Sequence, residues 1–212
     1  MQALAGMTGT VDLAGLVLAG GRSRRMGCDK ARLCVGGELL LVRQVRLLRE
    51  TGVGECWVSV AEGKRAAYPE IREDVRWVED AVAEAGPMEG IRQVLERTTA
   101  GWLLVLAVDL PALEVGFLRE LRRHCAEGRG VVPVTLRGRE PLCAVLPVAA
   151  ARAEVSGWKA TEEWSPRRLV DAGVRGGWMR EWALEISLEP LLANWNAPGE
   201  WEWAARRDSS GN

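Results

Sequence analysis

Residues 102–111 read WLLVLAVDLP. This is the most apolar run in the chain, and it shows no alternation of apolar and polar residues. Such a run fits a strand buried on both faces, as in the middle of a parallel sheet. Asp109 closes the run, and Pro111, which has no N–H to donate, stops the chain from extending the sheet. Outward from this strand, stretches of strand length alternate with helical patterns. Residues 15–19, 55–60, 75–78, 131–136 and 142–146 read as strands. Residues 38–50, 87–98 and 114–126 read as amphipathic helices, with Pro87 suited to a first helical turn. Beyond Val148, short helices mix with two further strand-like stretches, 178–184 and 191–195. This alternation predicts an α/β protein of three layers, α/β/α and Rossmann-like, with a mostly parallel central sheet. A single domain over 14–204 is expected, with 1–13 and 205–212 as flexible tails. Ligands of such sheets bind at the carboxyl ends of the strands. That rule puts the segments after Ala19 and after Val108 on one rim.

The composition narrows the function classes. The chain has 212 residues, of which 48% are hydrophobic, enough for a sizeable core. Its net charge is −1, which gives no global attraction for nucleic acid or an anionic membrane. An anion site must therefore be a local patch. The cysteines at 28, 34, 56, 125 and 143 form no C-x-x-C pair, and His124 is the one histidine. A structural zinc site is not expected, and unpaired cysteines suit a reducing cytoplasm. No segment approaches the roughly 18 apolar residues of a membrane span. The first residues, MQALAGMTGTVDLAG, lack the basic region of a signal peptide. His124, late in a helix beside arginines, reads as a helix-end residue.

Residues 18–30 read LAGGRSRRMGCDK. A Walker loop needs a glycine directly before its lysine, and here Cys28 and Asp29 separate Gly27 from Lys30. The dinucleotide fingerprint G-x-G-x-x-G fails too, because Gly20 and Gly21 are adjacent. What remains is a longer cationic loop. Gly20 and Gly21 allow close approach of the backbone to an anion. Arg22, Arg24, Arg25, Lys30 and Arg32 stand against the single carboxylate of Asp29, a surplus that a triphosphate balances. Asp109, ending a buried strand on the same rim, is a candidate magnesium ligand, since Mg²⁺ takes one or two carboxylates and fills its shell with water and phosphate oxygens.

These residues carry a family resemblance. Leu18 through Met26, then Gly27, Asp29 and Lys30, resemble the signature L-A-G-G-x-S-x-R-M-G-x-D-K of the molybdenum cofactor guanylyltransferases, MobA-like members of the nucleotidyltransferase superfamily. Val78, Glu79 and Asp80, then Gly86, Pro87, Met88, Glu89, Gly90 and Ile91, resemble the family's E-D and G-P-L-x-G-I segments. Val108, Asp109, Leu110 and Pro111 resemble C-D-x-P. Pro141 and Leu142 fall where the family has H-P-L, and Asn194, Trp195, Asn196, Ala197 and Pro198 resemble N-x-N-T-P. The resemblance spans residues 15–203. It departs at Val108, Glu89, Glu140 and Ala197, which replace a cysteine, a small residue, a histidine and a threonine.

The resemblance implies a nucleotidyltransferase fold and transfer of GMP from GTP to molybdopterin in its molybdenum-bound form, with release of pyrophosphate. Mg²⁺ is the implied cofactor, and molybdoenzyme-maturation proteins are implied partners. Lys30, Asp109 and Arg25 are the implied catalytic residues, with Asp109 on the metal. Leu18, Ala19, Gly20, Gly21, Arg22, Lys30, Asp80, Gly86, Pro87, Gly90 and Asp109 are expected around the nucleotide. Asn194 and Asn196, two apart on a strand, are expected toward the acceptor. The acceptor phosphate is itself a nucleophile, so no catalytic Ser, Cys or His is required, and Cys28 is not assigned a role. Of the tryptophans after residue 157, most are expected to pack, although one could stack on a pterin. The alternatives are a molybdopterin cytidylyltransferase, a sugar-phosphate guanylyltransferase, or a nucleotide-binding adaptor without turnover.

Overall fold

The computed structural model of the chain describes residues 12–20, 30–71, 74–80, 86–126, 128–158 and 164–194. Along them run β1 (Leu13–Leu18), the hairpin of β2 (Cys34–Val35) and β3 (Glu38–Leu39), α1 (Leu40–Thr51), β4 (Glu55–Ala61), β5 (Val75–Asp80) and α2 (Pro87–Arg97). Then come β6 (Trp102–Ala107), α3 (Val115–Arg123), β7 (Gly130–Thr135), β8 (Gly138–Arg139), β9 (Cys143–Pro147), α4 (Val148–Ser156), α5 (Pro166–Arg175) and β10 (Met179–Ala183). Short 3₁₀ turns occupy Lys30–Arg32, Arg65–Ala67 and Ile186–Leu192.

One large sheet has the order β10-β7-β9-β6-β1-β4-β5, with β8 paired to β7. β6, β1, β4 and β5 are mutually parallel, as are β7 and β10. β9 runs antiparallel to both β6 and β7. The run at 102–107 is the central strand that its composition predicts: every residue of β6 and of β1 is buried. Side chains alternate across these strands. Leu13, Val17, Leu104 and Leu106 join the core beneath α1 and α3. Ala14, Leu16, Leu18, Leu103 and Val105 join the core beneath α2, α4 and α5. Helices therefore cover both faces, giving the expected three layers.

Local chemistry sets the element ends. Gly52, with φ of 87°, closes α1 in the left-handed region that glycine enters without penalty. Pro87 occupies the first turn of α2. The Ser165 hydroxyl accepts the Arg168 N–H at 3.2 Å and caps α5, whose first turn holds Pro166.

Two expectations need correction. The helix predicted over 38–50 starts at Leu40, because Glu38 and Leu39 pair with Val35 and Cys34 across a turn. Gly36 and Gly37 give that turn its positive φ values of 56° and 79°. The strand predicted over 191–195 is not formed where it is described: Leu191 and Leu192 end a 3₁₀ turn containing Pro190, which cannot donate to a sheet ladder. Trp195 lies outside the described residues, as do 1–11 and 205–212 of the predicted tails. The strand predicted at 178–184 is present as β10.

Candidate active site

The sheet register builds one rim. Leu18 at the end of β1 stands beside Ala107 at the end of β6, and the Val108 N–H donates to the Leu18 carbonyl at 3.2 Å. Ala61 and Asp80 end β4 and β5 side by side. β9 runs the other way, so the residues before it reach the same rim: the Ala107 N–H donates to the Leu142 carbonyl at 2.8 Å. The turn after β1, Asp80, Asp109 and the 140–142 segment thus share the carboxyl edge.

At the middle of that edge, Nζ of Lys30 donates to Oδ2 of Asp109 at 2.9 Å. The two side chains are 17% and 20% exposed, open enough to be reached and sheltered enough for their charges to act strongly. The turn after Asp109 is held from α1. Gln44 Nε2 donates to the Leu110 carbonyl at 2.8 Å, and Arg43 donates to the Pro111 and Leu113 carbonyls, each at 3.0 Å. Gln44 is fully buried, and its Oε1 has no partner among the described residues. Sequence reasoning missed both residues. The available signal was a glutamine lying within the apolar stripe of Leu40, Leu41, Val45 and Leu48.

The exit from β1 is held by β4. The N–H groups of Ala19 and Gly20 both donate to the Ser59 carbonyl, at 2.8 and 3.0 Å. Across β4, Gly86 precedes α2 with φ of 70°, and its carbonyl accepts the Glu89 N–H at 3.2 Å. Leu18, Ala19, Gly20, Gly86, Pro87 and Gly90 therefore flank the strand ends, with the first turn of α2 presenting its N-terminal dipole there. Gly21, Arg22, Arg25 and Asn196 lie outside the described residues. Asn194 is exposed, follows the 3₁₀ turn, and does not stand on a strand.

Two departures from the family pattern have local partners. Glu89 forms an ion pair with Arg92 at 2.7 Å and accepts from Gln93 at 3.0 Å. The Arg92 guanidinium holds its carboxyl below the usual carboxylate range. Glu89 is thus tied along its own helix. Glu140 differs: burial raises its pKa, against the Thr135 hydroxyl at 3.3 Å and the charges of Arg137 and Arg167.

Other conspicuous residues are accounted for by packing. His124 caps α3 and stacks on Trp182 with ring centroids 4.4 Å apart. Trp158 meets Trp164 edge-on, and Arg168 lies over its ring. Burial pushes the thiols of Cys56 and Cys125 up to about 11 and about 12, so neither is a ready nucleophile. A cavity of about 500 Å³ lies at the outer edge strand β5, against Tyr68, Trp77 and Glu79. β1 and β4 separate it from the Lys30–Asp109 pair.

The residues present fit magnesium of the nucleotide-linked kind. Asp109 offers one reachable carboxylate, and no group of three or more His, Cys, Asp or Glu forms a protein cage among the described residues. Mg²⁺ in phosphate chemistry needs no such cage.

Comparison with known proteins finds relatives over most of the chain. Residues 15–175 match the family model of the MobA-like NTP transferase domain. The chain is 44% identical over 192 residues to a probable molybdenum cofactor guanylyltransferase of Opitutus terrae, covering 88% of this chain and 91% of that protein. A nucleotidyl transferase from Methanothermobacter superposes with a TM-score of 0.75 at 17% identity, over 94% of this chain and 99% of that one. Molybdopterin-guanine dinucleotide biosynthesis protein A from Archaeoglobus fulgidus superposes with a TM-score of 0.66 at 19% identity, over 93% and 99%. The two structures establish likeness of fold.

Proposed function

The chain belongs to the MobA-like NTP transferase family, and we infer that it transfers GMP from GTP to molybdopterin in its molybdenum-bound form, releasing pyrophosphate. One observation carries the assignment of the centre: Lys30 and Asp109 meet at 2.9 Å on the rim where β1 and β6 end. The relative from Opitutus terrae, 44% identical, supports guanylyl transfer in particular.

In this reaction an oxygen of the acceptor phosphate attacks the α-phosphorus of GTP. The new bond forms to that phosphorus as the bond to the β-phosphate oxygen breaks, and pyrophosphate leaves with its electrons. The nucleophile is already anionic, so the chain needs no base to generate it. Its task is to align the groups and to neutralise charge. Lys30 meets the outer phosphates and stabilises the departing pyrophosphate. Asp109 would hold a magnesium ion, which when bound supplies charge neutralisation across the phosphate oxygens. Gln44 and Arg43 keep the turn carrying Asp109 in place. The backbone at Leu18, Ala19 and Gly20 borders the nucleoside on one side, and Asp80 with the start of α2 borders it on the other. Arg22 and Arg25 are assigned to the triphosphate, and Asn194 and Asn196 to the acceptor, as the family resemblance implies. Intact Lys30 and Asp109 favour turnover over a purely binding role. Cys34, Cys56, Cys125 and Cys143 are all free thiols, as a reducing cytoplasm would keep them. No helix among the described residues is long and apolar enough to cross a membrane. The product must pass to an enzyme that uses it, so maturation proteins of such enzymes are the partners this reading implies.

A thermal-shift panel of GTP, ATP, CTP and UTP with Mg²⁺ tests the base, since a ligand bound to the native state raises the melting temperature. GTP is expected to give the largest shift, and pyrophosphate release from GTP is expected to depend on molybdopterin. A larger shift with CTP, or release that ignores the acceptor, would overturn the assignment.

A further inference from the structure

Gly90 sits one turn into α2, where the helix crosses β4. A Cβ placed on it would run into Oγ of Ser59, come within 2.7 Å of Ser59 Cβ, and reach 3.1 Å from Leu18 Cδ2. Real Cβ atoms do not approach that closely, so either helix or strand would have to give way. The missing side chain at Gly90 is what lets α2 rest directly on β4 and on the last residue of β1.

Ser59 faces the other side of the same junction through its main chain. It is 2% exposed, and its carbonyl accepts the N–H groups of both Ala19 and Gly20 at 2.8 and 3.0 Å. Those are the residues by which the chain leaves β1 for the cationic loop. One residue therefore touches both segments that border the nucleotide: the β1 exit through its carbonyl, and the first turns of α2 through its side chain.

We propose that Ser59 is a positioning residue for the nucleotide, setting the spacing between the β1 exit and the N-terminal turns of α2, and that Gly90 is bare so that this spacing can be reached. This rests on the reading that the two segments flank GTP. The consequence is specific. Bulk added between Ser59 and α2 widens the gap across which the nucleotide is held, while β9, β7 and β10, beyond β6 and on the side to which this reading assigns the acceptor, are untouched. A displacement near 1 Å in a preorganised site costs up to about 100-fold.

The test uses Gly90→Ala, Ser59→Cys and the double variant Gly90→Ala/Ser59→Gly. GTP affinity is read by titration calorimetry, GTP and acceptor KM by pyrophosphate release, and folding by melting temperature. Gly90→Ala is expected to weaken GTP about ten-fold or more while the acceptor KM stays within about two-fold. Ser59→Cys, whose sulfur is bulkier than the hydroxyl, is expected to weaken GTP several-fold in a chain that folds. The double variant removes both of the nearest contacts and is expected to recover most of the lost affinity, whatever its melting temperature. Native GTP affinity in Ser59→Cys overturns the proposal. So does a Gly90→Ala chain that loses stability but keeps its GTP affinity, or a double variant that binds no better than Gly90→Ala. If the native chain itself binds no GTP, the functional reading fails instead, and the proposal falls with it.

Discussion

Lys30 Nζ and Asp109 Oδ2 lie 2.9 Å apart although 79 positions separate them in the chain. The pair joins the end of the cationic loop to the end of the central strand, and it means that the carboxylate proposed for the metal is charge-compensated before any substrate arrives. Binding of a magnesium nucleotide would reassign both partners, Lys30 to the outer phosphates and Asp109 to the ion.

Lys30→Ala is expected to weaken GTP far more than GMP. A charge-assisted contact of this kind is worth roughly 1.5–3 kcal/mol, or about 10- to 150-fold in affinity. Calorimetric titration of the variant with both nucleotides checks it, and equal losses would move Lys30 away from the outer phosphates.

Gln44→Leu separates stability from activity. The change strips the Leu110 carbonyl of its donor at 2.8 Å, yet it also removes a buried Oε1 that has no partner. Those two terms oppose each other, so the melting temperature is expected to stay within about 2–3 °C of native, a shift near 1 kcal/mol. The turn holding Asp109 loses one of its ties, and kcat is expected to fall several-fold. A native kcat would show that the clamp does not reach Asp109.

The rim was legible in outline. Continuous burial marks β1 and β6, and the strand-end rule then brings Lys30 and Asp109 toward one edge. Strand direction is not written in an apolar run, so nothing in 142–146 distinguishes an antiparallel β9 from a parallel one. The 191–195 stretch misled because Leu191 and Leu192 sit on a 3₁₀ turn, where Pro190 is tolerated. Ser59, Arg43 and Gln44 escaped notice for a common reason. Each acts on or through a main-chain carbonyl, and such contacts leave no motif of side chains.

Glu140→Gln is expected to stabilise the protein in a pH-dependent way. Burial raises the Glu140 pKa, opposed by the Thr135 hydroxyl and by Arg137 and Arg167, while Glu189 raises it further. The carboxyl is therefore harder to ionise folded than unfolded. Its penalty is absent below the ordinary value of about 4.3 and complete once the pH has passed the folded-state pKa. The variant should melt about 1–2 °C higher at pH 7 and match native below about pH 4. An advantage that persists at pH 4 would point to packing instead of charge.

Asn194→Ala addresses the acceptor side. The residue is exposed beyond the 3₁₀ turn, so its removal should leave the melting temperature and the GTP KM unchanged. The acceptor KM is expected to rise roughly three- to ten-fold, on the order of one neutral hydrogen bond. A parallel rise in the GTP KM would place Asn194 with the nucleotide.

The most direct measurement is mass spectrometry of the product formed from GTP, Mg²⁺ and molybdopterin by the native chain and by Asp109→Asn, with pyrophosphate followed in parallel. The native chain is expected to yield the acceptor carrying one added GMP and one pyrophosphate per product. The variant keeps the shape of the side chain but not its charge, and is expected to fold normally and form neither product. Native-like product from folded Asp109→Asn, or a native chain that leaves the acceptor mass unchanged while consuming GTP, would contradict the account.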